Sequence, residues 1–324
     1  MKTIKTIMGL LLAAAIAAPA VAAEITLKAS HNANQDEPYH LGMLKMSELL
    51  KEKTGGEAEI HVFPNAQLGD EMESIQGTQL GTIDIAITAN ETLVNFAPEM
   101  SVFSMPFVFE NAEQMDKALS APEVRDYVNQ VLGKKGFRLI GFFSAGTRHI
   151  MTKKPVESMA DLAGLKIRTM QNAAHLEAFR NFGANPTPLA YAELYGALET
   201  GVVDGAEAAN TNYFSKKFYE VAPNWAILGW LELVAPVVMG EERFKALPED
   251  MQKALLEAGT EAALFQRAAY RESDQKRYDD LIAAGVKVTR PDAAPFRAEA
   301  EKVYASYVDT DEQKKLLDLL KSTK

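Results

Sequence analysis

The chain of 324 residues contains no cysteine, which excludes disulfides, thiolate metal sites and cysteine nucleophiles together. Histidine is scarce. The five are His31, His40, His61, His149 and His175, and no two share the i, i+4 spacing that sets zinc ligands on one helix face, so no metal site is expected. Neither a Gly-x-Gly-x-x-Gly nor a Gly-x-x-x-x-Gly-Lys phosphate loop occurs, and no cofactor is expected. The segment Gly141-Phe-Phe-Ser-Ala-Gly146 is one residue too long for a nucleophile elbow. No catalytic constellation emerges. An excess of positive charge is also missing: 34 Lys and Arg against 44 Asp and Glu give a formal net charge of −10, which disfavours nucleic acid and anionic membrane as partners.

Long apolar runs are absent except at the N-terminus, where Lys2 and Lys5 precede Ile7 to Ala18 and then Pro19-Ala-Val-Ala-Ala23. This reads as a secretory signal peptide over 1–23, cleaved after Ala22 or Ala23. Its apolar run falls short of the roughly 20 residues that span a bilayer. The mature chain is expected to be soluble in the periplasm, uninserted and without a lipid anchor.

What remains exceeds what one core usually organises, so two lobes are expected. Strand and helix patterns alternate, the signature of an α/β protein. Strand readings at Glu24–Ala29, Glu57–Phe63, Ile83–Thr88 and Phe137–Phe143 build a first series, and Arg148–Thr152 and Leu165–Arg168 open a second. The apolar run Leu231–Met239 is long enough to cross between lobes. From Pro248 to about Ala284 a helical pattern places Met251, Leu255, Ala258, Ala262 and Phe265 on one face, long enough to lie across both lobes. The expected division is 24–145 plus about 234–273 in the first lobe, and 146–233 plus about 274–324 in the second.

Arg168 ends the strand Leu165-Lys166-Ile167-Arg168, and Asn172 is placed to cap the helix that follows, with Gly183 as its stop. Strand ends in open α/β sheets face ligand crevices. The helix N-terminus directs free N–H groups at the same place, and an arginine there can hold a carboxylate with two parallel hydrogen bonds.

Six ordered segments carry a resemblance: Val62-Phe-Pro64 with Gln67-Leu-Gly69, Gly81-Thr-Ile-Asp84, Ser144-Ala-Gly-Thr-Arg148, Gly164-Leu-Lys-Ile-Arg168, Gly183-Ala-Asn-Pro-Thr-Pro188 and Gly201-Val-Val-Asp-Gly-Ala-Glu207. Over its mature length the chain resembles the DctP family of solute receptors of TRAP (tripartite ATP-independent periplasmic) transporters. The resemblance implies two α/β lobes of periplasmic-binding-protein type with crossing strands and a spanning helix. It also implies small and large membrane subunits as partners, and binding without turnover. Arg168 inherits the carboxylate clamp and Arg148 its support, while Gln171, Tyr191 and Glu207 match ligand-side positions. After Glu207 the family continues with Asn-Pro, whereas this chain has Ala208 and Ala209, so Asn210 or Asn212 is expected to replace the amide.

Strand ends of the opposite lobe nominate His31, Glu73 and Asn90, with Asp70 and Glu71 as helix caps or site residues, and Trp230 as a pocket wall. A carboxylate such as Glu73 facing the pocket would accept from hydroxyls and repel a second carboxylate. The expected ligand is a sugar acid such as a hexuronate or aldonate. The alternatives are a C4-dicarboxylate or other organic acid, a receptor for an ATP-driven importer, or a secreted enzyme of the same architecture.

Overall fold

The computed structural model describes residues 25–323; the expected signal peptide lies outside them. Its strands are β1 (Ile25–Ser30), β2 (Ala58–Phe63), β3 (Ile85–Ile87), β4 (Phe137–Thr152), β5 (Lys166–Thr169), β6 (Asn185–Pro188), β7 (Gly205–Ala208), β8 (Asn224–Gly240) and β9 (Lys287–Thr289). They form one 9-stranded sheet in the order β2-β1-β3-β8-β4-β7-β5-β6, with β9 added on β8. β1 runs parallel to β2 and β3, β5 parallel to β6 and β7, and the long antiparallel pair β4 and β8 joins the two sets. Each set is the sheet of one lobe. β4 and β8 are buried almost throughout, which is why both read as continuous apolar runs without alternation.

Two strands expected on either side of Ser144 are therefore one strand of 16 residues. The small residues between them mark an irregularity in the ladder, where the register against β8 shifts between Ser144 and Thr147. There the Gln266 carboxamide takes the place of a neighbouring strand, accepting from Ser144 N and donating to Ser144 O, both at 2.8 Å. Gly146 stands in the same stretch at φ 79°, and a Cβ on it would lie 2.3 Å from Tyr270 Cε1. Gly146→Ala is expected to cost about 2 kcal/mol from left-handed backbone and overpacking combined. A lowered thermal midpoint checks it; an unchanged one refutes the close packing.

The long helix spans Glu249–Ala283. Met251, Leu255, Ala258 and Ala262 are buried as the spacing predicts, but Phe265 is 43% exposed and the polar Gln266 takes the inward place. Its contacts divide between the lobes. Near its start it lies against helix Pro38–Lys53, where Lys53 Nζ meets Glu261 at 2.8 Å. Near its end Asp274 accepts from Asn210 and Thr211 of the second lobe. The final helix, Asp311–Ser322, departs from the sequence reading, which put it with the second lobe. Leu316 and Leu320 pack with Val124 and Val128 of the first lobe, and Gln313 Nε2 donates to Pro98 O and Ser101 Oγ. The apolar stripe that buries it has its partners on helix Pro122–Gly133, across nearly two hundred residues of chain, a pairing that periodicity does not encode.

Candidate functional site

Strand pairing assembles the charged centre. Arg168 on β5 lies opposite Ala206 of β7 and Thr187 of β6, and Glu207 on β7 lies opposite Ile150 of β4, one step beyond Arg148 and His149. The Arg148 Nε donates to Glu207 Oε2 at 2.6 Å and the Arg168 Nη1 to Glu207 Oε1 at 3.4 Å, so one carboxylate serves two guanidiniums. All three residues are buried. The Leu189 carbonyl accepts from Arg168 Nε and Nη2 at 3.0 and 2.8 Å, occupying the side edge of the fork. An N–H on each terminal nitrogen is left over, the paired geometry that takes a carboxylate. Arg148 is committed to the same extent, its Nη1 donating to Ala145 O and its Nη2 to Glu207 O besides the bond from Nε.

Burial alone would raise the Glu207 pKa, but Arg148 and Arg168 outweigh it and hold the carboxyl below the usual range. Burial lowers Arg168 despite Glu207. For Arg148, burial is the largest influence, yet the Glu207 charge and hydrogen bond together exceed it and the pKa rises. Behind them Glu91 is buried with no partner for either oxygen, and desolvation pushes it up to about 8. His175, with Nε2 3.9 Å from Glu91, is pushed down to about 4 by burial. Burial thus favours the uncharged form of both, and two guanidiniums on one carboxylate leave the Arg148–Glu207–Arg168 cluster itself a net charge of about +1.

The arginines face a cavity between the lobes, with about 500 Å³ of atom-free space when its opening to solvent is included. Arg148, Arg168, Met170, Tyr191 and Asn212 supply one wall, Asn32, Glu37, Tyr39, Glu71 and Ala89 the other, and Ala145, Leu233 and Tyr270 the floor where strands and long helix cross. Glu71 is fixed by accepting from Ala89 N and Thr92 Oγ1 at 2.9 and 2.6 Å, and burial raises its pKa. Glu37 Oε1 accepts from Asn34 N and Ser215 Oγ, which leaves Oε2 for the cavity. The Arg168 guanidinium carbon stands 5.9 Å from the Tyr191 ring centre.

Of the residues nominated from sequence, Arg168, Arg148, Tyr191 and Asn212 meet on this cavity, and Glu207 lies behind the arginines, its oxygens spent on them. Gln171 and Glu73 line an adjoining outer cleft of about 400 Å³ that shares Arg168, Glu71 and Tyr191. Four nominations are corrected. Asn210 turns away, donating to Asp274 and accepting from Trp225 Nε1. His31 is buried against His40, with Nε2 3.1 Å from its Nδ1. Asn90 donates to Met100 O and Ser104 Oγ inside the first lobe. Trp230 is core, its ring edge-on to His175 and Phe179. Asp70 does cap its helix, accepting from Glu71 N at 2.8 Å. Sequence reasoning missed Glu37, Tyr39 and Tyr270; Glu37 ends the loop before helix Pro38–Lys53, and the two tyrosines are aromatic positions on helices, with no other signal. Among the described residues no cluster of metal-ligating side chains occurs.

Two α/β lobes that share a sheet and enclose an arginine-bearing cavity define a solute-binding protein of the periplasmic type. The bacterial extracellular solute-binding proteins of family 7 (DctP) match residues 29–311, and the chain belongs to that family. It is 32% identical over 276 residues to the 2,3-diketo-L-gulonate-binding periplasmic protein YiaO of Escherichia coli, covering 85% of this chain and 84% of that one. It is 30% identical over 297 residues to the C4-dicarboxylate-binding periplasmic protein DctP of Rhodobacter capsulatus, covering 90% and 88%. The crystal structure of a TRAP periplasmic solute-binding protein from Roseobacter denitrificans with bound β-D-glucuronate superposes with a TM-score of 0.87 at 30% identity, covering 92% of this chain and 100% of that one. Among the described residues no helix is long and apolar enough to cross a membrane.

Proposed function

We propose that this chain is the periplasmic receptor of a TRAP transporter, that it binds a hydroxylated monocarboxylate such as a hexuronate or aldonate, and that it delivers it unchanged to small and large membrane subunits. The observation that carries the reading is the net charge of about +1 on the Arg148–Glu207–Arg168 cluster. One ligand carboxylate on the free edge of Arg168 neutralises it. The second carboxylate of a dicarboxylate would meet the buried carboxyl groups of Glu37 and Glu71 on the facing wall, which suit ligand hydroxyls instead. Glu71 thus takes the hydroxyl-reading part expected of Glu73. Asn212 and Tyr191 read the ligand body, and Glu207 acts as a positioning residue that aligns both forks. The lobe division near 145/146 and 233/234 is supported by the change of sheet neighbours there, and the long helix changes lobe near 273.

A thermal-shift panel tests this on the mature protein with D-glucuronate, D-galacturonate, D-galactonate, succinate and amino acids. A ligand at a hundredfold excess over its dissociation constant stabilises by about 2.7 kcal/mol. Shifts are expected from the sugar acids and not from succinate. A shift from succinate alone would favour the dicarboxylate reading, in which Arg148 and Arg168 take separate carboxylates. Turnover of any shifted ligand would favour an enzyme.

A further inference from the structure

Away from the arginines, the lobes meet a second time around Lys216. This residue follows helix Asn210–Ser215 of the second lobe, and its Nζ donates to Asn34 Oδ1 at 2.6 Å, Asn32 O at 3.1 Å and Asn65 Oδ1 at 3.3 Å, all in the first lobe. The three acceptors match the three N–H groups of an ammonium. Among the described residues no carboxylate lies within salt-bridge distance; burial lowers the Lys216 pKa, opposed at longer range by Glu37, Asp36 and Asp70, and Nζ stands 5.7 Å from the Tyr191 ring centre, so neutral oxygens supply the direct hydrogen bonds of a partly desolvated cation. Ser215 adds two more crossings. Its carbonyl accepts from Asn34 Nδ2 at 3.0 Å and its hydroxyl donates to Glu37 Oε1 at 2.8 Å.

These bonds exist only when the lobes are together. Apart from Asn65, their first-lobe partners belong to the loop 32–37, which also supplies Asn32 and Glu37 to the cavity wall. A ligand hydroxyl on the open side of Glu37 therefore orders the same loop that Lys216 and Ser215 grip. We infer that Lys216, with Ser215, is the latch of the closed receptor: it sets how slowly the ligand leaves, without touching the ligand. Three fixed acceptors are satisfied together at one lobe separation only, and the Arg277–Asp36 ion pair, 3.3 Å between Nη2 and Oδ2, crosses to the same loop.

The inference rests on the receptor reading, and its test separates the two. Stopped-flow fluorescence with D-glucuronate and D-galacturonate measures association and release for the wild type, Lys216→Met and Ser215→Ala. A latch acts after encounter, so Lys216→Met is expected to speed release about tenfold or more, and Ser215→Ala about threefold, with association within about twofold of wild type. The ligand-free thermal midpoints are expected to stay close to wild type. Release unchanged in both variants overturns the latch while wild-type binding keeps the receptor. A fall in association matching the gain in release, or a lowered ligand-free midpoint, assigns Lys216 to scaffold and also overturns it. Wild-type protein that binds neither uronate removes the receptor reading itself.

Discussion

Arg168→Lys is expected to weaken sugar-acid binding by roughly 100-fold or more in calorimetric titration, although the charge is kept. The guanidinium makes two kinds of contact at once: its side edge is anchored on Leu189 O and its terminal edge is left for the ligand. An ammonium has no planar fork and cannot do both. Removing one member of a buried, hydrogen-bonded charge pair costs on the order of 3 kcal/mol, and each 1.4 kcal/mol is tenfold in affinity. Arg168→Ala should lose at least as much. A lysine variant that binds like wild type would show that the carboxylate sits elsewhere.

The second large effect is on stability. Glu207→Gln leaves Arg148 and Arg168 buried beside each other without a counter-charge, a change expected to cost about 3–5 kcal/mol and to lower the thermal midpoint by roughly 5–8 °C in a chain of this size. The pH dependence gives a separate signature. The folded-state pKa of Glu207 is depressed, so its contribution is complete above the unfolded value and is lost as pH falls through the folded one. The difference between variant and wild type should therefore be widest at neutral pH and shrink below about pH 4. A constant difference across that range would mean that Glu207 contributes shape and not charge. Ligand carboxylate should restore part of the loss, because it supplies the missing negative charge to the arginines.

Which parts of the site could be read from sequence follows from geometry. Arg168 and Asn172 were legible because a strand end and a helix cap are local, and local rules place both at a crevice. Asn210 and Asn212 were not separable: two positions apart on a helical turn they point about 200° away from each other, so one reaches the cavity and the other reaches Asp274. The same phase problem left Glu71 and Glu73 unseparated: helix Glu71–Leu80 has almost no apolar asymmetry to fix its rotation, and Glu71 lines the central cavity while Glu73 lines the outer cleft. His31 and Asn90 obey the strand-end rule in backbone position, but their side chains turn into the first lobe to satisfy buried partners. Tyr39 and Tyr270 come from helices whose inward faces are aligned only by the crossing of both lobes, and no local pattern contains that crossing.

The fused sheet has a mechanical consequence. Where lobes are tied by slack linkers, opening resembles a joint that turns freely; here the two halves are one hydrogen-bonded fabric, and any opening would have to bend β4 and β8. Bending concentrates where stiffness is least, at the stretch from Ser144 to Thr147 where the ladder is already interrupted and a glutamine side chain from the long helix replaces strand contacts. The receptor then works as a flexure: the compliant point, the helix strapped across it and the cavity floor coincide, so the restoring force of the sheet and the grip on the cargo act on the same few residues.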